Sequence, residues 1–150
     1  WGWATWRRAW EKMSVSLDGL EEFAASEHFK QFVPNSMARV YMLDKFRDTQ
    51  QQKNNSWAYA WFYSILKNNG LCIVPKKNLV QNVGVGEQSA TNTTSSNQAA
   101  RLRAGVLEWP LVHPSERSPE PGLEIHFFYT SQKKRPRLLI WWALKKIGLR

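Results

Sequence analysis

The stretch from Ser56 to Pro75 constrains this chain most, because it reads as a helix, a stop and a buried strand in immediate succession. Trp57, Trp61, Ser64 and Ile65 recur at helical spacing, and the Ser56 hydroxyl is placed to accept from the unpaired amides of the first turn. Gly70 supplies the left-handed stop expected at a helix C-terminus. Leu71, Cys72, Ile73 and Val74 form an apolar run ended by Pro75, too short for a helix and suited to a strand buried on both faces. Asn78, Asn82, Gly84 and Gly86 then make a loop that can bring backbone close to another group.

A chain of 150 residues makes one domain with a sizeable core, and nine tryptophans with seven phenylalanines are more aromatic surface than a disordered chain carries. The start, Trp1-Gly2-Trp3-Ala4, has no initiator Met, basic n-region or apolar h-region, so a piece of a longer protein without a signal peptide is expected. Cys72 is alone, which excludes an internal disulfide, and its apolar neighbours predict a buried, inert thiol in a reducing setting. The net charge of +9 is uneven: eight basic and seven acidic residues up to Ala60, thirteen against five after it. An anionic partner near the C-terminal end is implied.

Trp1, Trp3, Trp6 and Trp10 crowd the first ten residues, with Thr5 as a cap for a helix running to about Met13. The i, i+4 pair Trp6 and Trp10 reads first as core. The functional alternative is an aromatic wall beside Arg7 or Arg8 that stacks on a sugar or holds a phosphate. Asp18 to Glu21 has capping-box spacing, followed by the apolar stripe Leu20, Phe23, Ala24 and Phe32. Pro34-Asn35-Ser36 breaks the chain and caps a helix with Met37, Val40, Tyr41 and Phe46 inward and Arg39, Lys45, Arg47 and Asp48 toward water. Asp44 falls on the inward side, where a carboxylate is either paired with a cation or employed. Residues 88–98 are poor in apolar groups and read as a mobile loop, either a lid or a plain connection. Leu123 to Tyr129 alternates as a strand does. In the tail from Lys133, an apolar run of seven residues containing Trp141 and Trp142 is flanked by cations. That pattern suits an interfacial membrane helix or a docked C-terminal helix equally, and is far too short to span a bilayer.

Familiar chemistries are largely excluded. Gly84-Val85-Gly86 has no third glycine, so it is not a dinucleotide fingerprint, and there is no Walker loop. His28, His113 and His126 are scattered with no cysteine pair, against a structural zinc site. Nothing marks a nucleophile elbow. Nucleic-acid binding ranks last, because most tryptophans lie in the charge-balanced first part, away from the basic tail.

Five ordered blocks carry a resemblance: Trp1 to Trp10; Ser56-Trp57-Ala58-Tyr59 with Trp61; Asn68-Asn69-Gly70-Leu71 with Pro75; Asn78-Leu79-Val80 with Asn82, Gly84 and Gly86; and Trp109-Pro110-Leu111 with His113-Pro114. Together they resemble the C-terminal half of bacterial nucleotide-diphospho-sugar transferases, glycosyltransferase family 2-like proteins. The resemblance, which covers residues 1 to about 115, implies an α/β, Rossmann-like GT-A fold, of which residues 1–130 are the mostly helical acceptor-side part with a few short strands; the basic, Trp-containing stretch over 131–150 is expected from its own residues to be a C-terminal helix. It implies transfer of a sugar from a nucleotide-sugar donor to a glycan or other hydroxyl acceptor, in the synthesis of cell-surface polysaccharide. A divalent metal, Mn or Mg, would be held by an Asp-x-Asp motif in a preceding half, so the piece alone is expected to be inactive. Trp3, Trp6, Arg7, Trp57 and Tyr59 would shape the substrate pocket, and Gly84, Gly86 and Asn92 the closing loop. Where many relatives have an Asp after the central Trp this chain has Ala58, which leaves Asp44 and Asp48 as the candidate bases. Asn92 stands where relatives commonly have a His. The expected location is cytoplasmic, peripheral to the inner membrane face. The alternative is a non-catalytic remnant, or a membrane-surface binding module acting through the basic tail over residues 133–150.

Overall fold

The computed structural model describes residues 3–81, 102–120, 122 and 142–144. Its regular elements are all helices: α1 (Arg7–Trp10), α2 (Leu20–Ala25), α3 (Glu27–Phe32), α4 (Ser36–Gln50) and α5 (Trp57–Lys67). No strand occurs among the described residues, which overturns the expected α/β, Rossmann-like GT-A fold for this part of the chain. Leu71 to Val74, expected to be a buried strand, is an exposed irregular segment, and Cys72 is exposed with it. The physical reason is that a helix closes its own hydrogen bonds, whereas a strand needs a neighbouring edge. The expected strand at Leu123 to Tyr129 and most of the tail lie outside the described residues.

The described residues fall into two units. The first, Arg7–Leu71 with the described residues from 117 onward, contains all five helices. Its core gathers Leu17, Leu20, Phe23, Phe29, Val33, Ala38, Phe46, Ala60, Tyr63 and Leu66. Tyr63 of α5 is its hub: the ring meets Phe23 at 5.4 Å and Phe46 at 5.7 Å, and the hydroxyl donates to the Asp18 carbonyl. Helix α5 packs on both α3 and α4, and α2 packs on α3.

Caps explain where these helices begin. The Asn35 side chain accepts from the Ala38 amide at 2.9 Å, as expected of an N-cap, and Ser26 accepts from Phe29 to start α3. The capping box at Asp18 does not form. The Ser14 and Ser16 hydroxyls donate to the Asp18 carboxylate at 3.0 and 2.8 Å, so α2 starts instead from Gly19 in the left-handed region at φ 73°. Ser56 is the N-cap of α5 by position, but its hydroxyl makes no cap bond; its amide is held by Asn54 Oδ1. At the other end, Asn69 takes the left-handed conformation at φ 54°. The Gly70 amide reaches the Ile65 carbonyl and the Asn69 amide reaches Leu66, the bond pair of a Schellman motif. Gly70 avoids crowding there, since a Cβ would meet Ile65 Cγ2 and its carbonyl oxygen at 3.1 Å and Ile65 would have to shift.

The second unit, described over residues 3–6, 72–81 and 102–116, has no helix. Asn78 organises it: its side-chain amide donates to the Val80 and Arg103 carbonyls, and its own carbonyl accepts from Gly105 at 2.7 Å. Lys77 pairs with Glu108. No helix of the described residues is long and apolar enough to cross a membrane.

Candidate functional site

Trp57 and Trp61 are four apart in α5 and so share one face. Helix α1 brings Trp10 to that face, its ring edge-on to Trp57 at 6.3 Å and tilted against Trp61 at 5.1 Å. The segment after α1 is fastened by Ser14, whose amide donates to Ser64 Oγ at 2.9 Å, while the Ser64 hydroxyl donates to the Ala60 carbonyl. Backbone bonds from Lys12 to Ala9 and from Met13 to Trp10 tighten the turn between. Trp10 and Trp57 nevertheless remain 43% and 50% exposed. Arg7, also exposed, lies three residues before Trp10 and thus one turn along the same face. The result is a partly exposed indole surface, able to stack on flat or ring-shaped ligands.

A second cluster joins α4 to α5. Lys45 Nζ lies 3.0 Å from Asp48 and 3.6 Å from Asp44, and 6.0 Å from the Tyr41 ring centroid. Burial opposes the charge on Lys45, but the hydrogen bond to Asp48 and the charges of Asp48 and Asp44 outweigh it and hold the ammonium above its ordinary pKa. The Tyr59 hydroxyl is raised chiefly by burial and by Tyr41, to which it hydrogen-bonds, with Lys45 pulling the other way. Asp44 and Asp48, the candidate bases, therefore share one cation. Among the described residues no group of three His, Cys, Asp or Glu side chains could hold a metal ion.

The two clusters occupy different sides of α5, because Tyr59 is rotated about 200° from Trp57. Trp57 and Tyr59, expected in one pocket, do not face it together. Trp3 and Trp6 belong to the second unit and are exposed; Trp6, expected in the core with Trp10, is 59% accessible. Gly84, Gly86 and Asn92 lie outside the described residues. Sequence reasoning did not join Trp61 to Trp10, whose rings meet, and assigned Trp10 to the core. The i, i+4 spacing of Trp57 and Trp61 was a usable signal, whereas four-residue α1 has too little periodicity to tell which way Trp10 turns. No protein-family model, no curated protein and no solved structure matches the chain.

Proposed function

We propose that the chain is the acceptor-binding part of a nucleotide-sugar-dependent glycosyltransferase, with the face formed by Trp10, Trp57 and Trp61 stacking on a sugar ring of the acceptor. The observation that carries this reading is the convergence of Trp10 with Trp57 and Trp61. These residues come from two separate blocks of the sequence resemblance, and their rings meet within 5.1 and 6.3 Å. An indole left half in water forgoes burial of roughly 100 Å², or about 2.5 kcal/mol at 25 cal/mol per Å², and a stacked ligand recovers part of that. The proposal gives Asp44 and Asp48 no catalytic part, because Lys45 holds both on another side of α5. Donor binding and metal chemistry are left to residues beyond this face. Use of a nucleotide sugar places the work in the cytoplasm, as part of the same proposal.

Saturation-transfer NMR of the chain with a panel of oligosaccharides tests the binding step. Saturation should pass to the ring protons of at least one sugar and vanish in Trp57→Ala, with the helical circular-dichroism signal unchanged. A folded chain that transfers no saturation across the panel overturns the proposal. Turnover of a nucleotide sugar by the intact protein is the second readout, expected to fall at least tenfold in Trp57→Ala.

A further inference from the structure

We propose that Asn69–Gly70 is a modification site, held unreactive while the C-terminal turn of α5 is closed and converted spontaneously to aspartate or isoaspartate once that turn opens. The chain contains the sequence Asn-Gly once. A glycine after an asparagine leaves the next backbone nitrogen unscreened by a side chain, which favours the ring closure of deamidation. In that step the Gly70 nitrogen gives up its proton and bonds to the Asn69 side-chain carbonyl carbon. The Cγ–Nδ2 bond breaks, and the amide leaves as ammonia with that proton. Water then opens the succinimide at either carbonyl, so one product keeps the normal backbone and the other carries an extra methylene in it.

The fold restrains both reacting groups while leaving the site in water. Asn69 is exposed and Gly70 half-buried. The Gly70 amide donates to the Ile65 carbonyl at 2.8 Å, so the proton that must leave is already committed. The Asn69 amide donates to the Leu66 carbonyl at 3.3 Å and pins the main chain at φ 54°. Attack therefore waits for both bonds to open, and the cost of local opening sets the rate. Asp18–Gly19 has the same small neighbour, but the Ser14 and Ser16 hydroxyls hold its carboxylate ionised, and an ionised carboxylate is a poor electrophile.

The consequence reaches the core. The Leu66 carbonyl also lies 2.9 Å from His28 Nε2, which joins the end of α5 to α3. An added methylene between the two bonded amides prevents both from closing again, and either product sets a carboxylate at the negative end of the helix. The conversion is one-way, so a transient opening is recorded as a permanent loosening of α5.

Incubation of the full chain in mildly alkaline buffer, with and without guanidinium chloride, tests this, the products being located by peptide mass mapping and isoaspartyl methyltransferase labelling. Asn69 should convert at least about tenfold faster in denaturant, because the two backbone bonds no longer hold it. Asn68→Gly removes the side-chain bond from Asn68 to the Ser64 carbonyl and adds backbone freedom to the last turn; it should raise the folded rate about threefold and leave the denatured rate unchanged. The deamidated chain, separated by ion exchange, should unfold at lower urea than its parent. Equal rates in the folded and denatured chain, an unchanged folded rate in Asn68→Gly, or an unchanged urea midpoint after conversion each overturns the inference, with the proposed function standing in every case.

Discussion

Arg7–Leu71 and the described part of Cys72–Glu116 are both rich in apolar side chains, yet only the first puts them away from water. In the helical unit Phe29, Phe46 and Tyr63 are fully buried. In the other, Ile73 is 72% exposed and Val106 79%. The difference lies in how each pattern can be satisfied. Apolar residues three and four apart form a stripe on a self-bonded helix, and any second stripe will cover it. Consecutive apolar residues such as Leu71 to Val74 point to both sides of an extended chain and require partners along both edges and faces. Residues 77–80 and 103–108 meet through Asn78 and one ion pair, and build no ladder among the described residues.

The largest test of that contrast is a pair of truncations. Phe46→Ala, in the core against Tyr63 and Phe62, should cost about 3–5 kcal/mol of unfolding free energy. Ile73→Ala should stay within about 0.5 kcal/mol, because there is little burial to lose. Urea denaturation followed by far-ultraviolet circular dichroism measures both. A large loss at Ile73 would mean that the second unit has a core of its own, and the contrast would collapse.

The same contrast explains what could be read from the sequence. Asn35 was legible as an N-cap because the cap bond to Ala38 is local. The stop after α5 was legible within one residue: Asn69 takes the left-handed turn, and Gly70 serves by its lack of a Cβ against Ile65. Asp18 misled because three hydroxyl and carboxylate residues within five positions compete for one another, and Ser14 and Ser16 won. Leu71 to Val74 has the composition of a buried strand, but composition cannot supply the neighbouring edge. At the candidate site, the indole pair of α5 followed from its spacing, while the arrival of Trp10 depends on the long-range bond from Ser14 to Ser64.

That bond gives the intermediate prediction. Ser64 is buried and accepts from the Ser14 amide, so Ser64→Ala leaves this half-buried donor without its partner and should cost about 1–3 kcal/mol. Asn78→Ala in the second unit removes three side-chain hydrogen bonds, but in full contact with water, and should cost less than about 1 kcal/mol. The same urea measurement ranks them. A costlier Asn78→Ala would show that polar order, rather than apolar burial, stabilises the second unit.

The smallest expected effect concerns charge within the helical unit. The Glu21 carboxylate receives two bonds from the Arg47 guanidinium, at 2.8 and 2.7 Å, linking α2 to α4. That hydrogen bonding outweighs the burial penalty and, with the charge of Arg47, lowers the Glu21 pKa. The Asp18 carboxyl is lowered too, first by the Ser16 and Ser14 hydroxyls. A carboxylate depressed in the folded chain binds fewer protons there than in the unfolded chain. Its contribution is therefore complete above the unfolded value, about 4.3 for Glu, and is lost as pH falls through the folded one. The urea midpoint should drop between pH 5 and pH 3, and Glu21→Gln should make that drop shallower while lowering the midpoint slightly at neutral pH. Both partners are largely exposed, so added salt should shrink the difference between parent and variant. An acid limb of equal steepness in Glu21→Gln would remove the pair from the account and leave the joining of α2 to α4 to their shared apolar core.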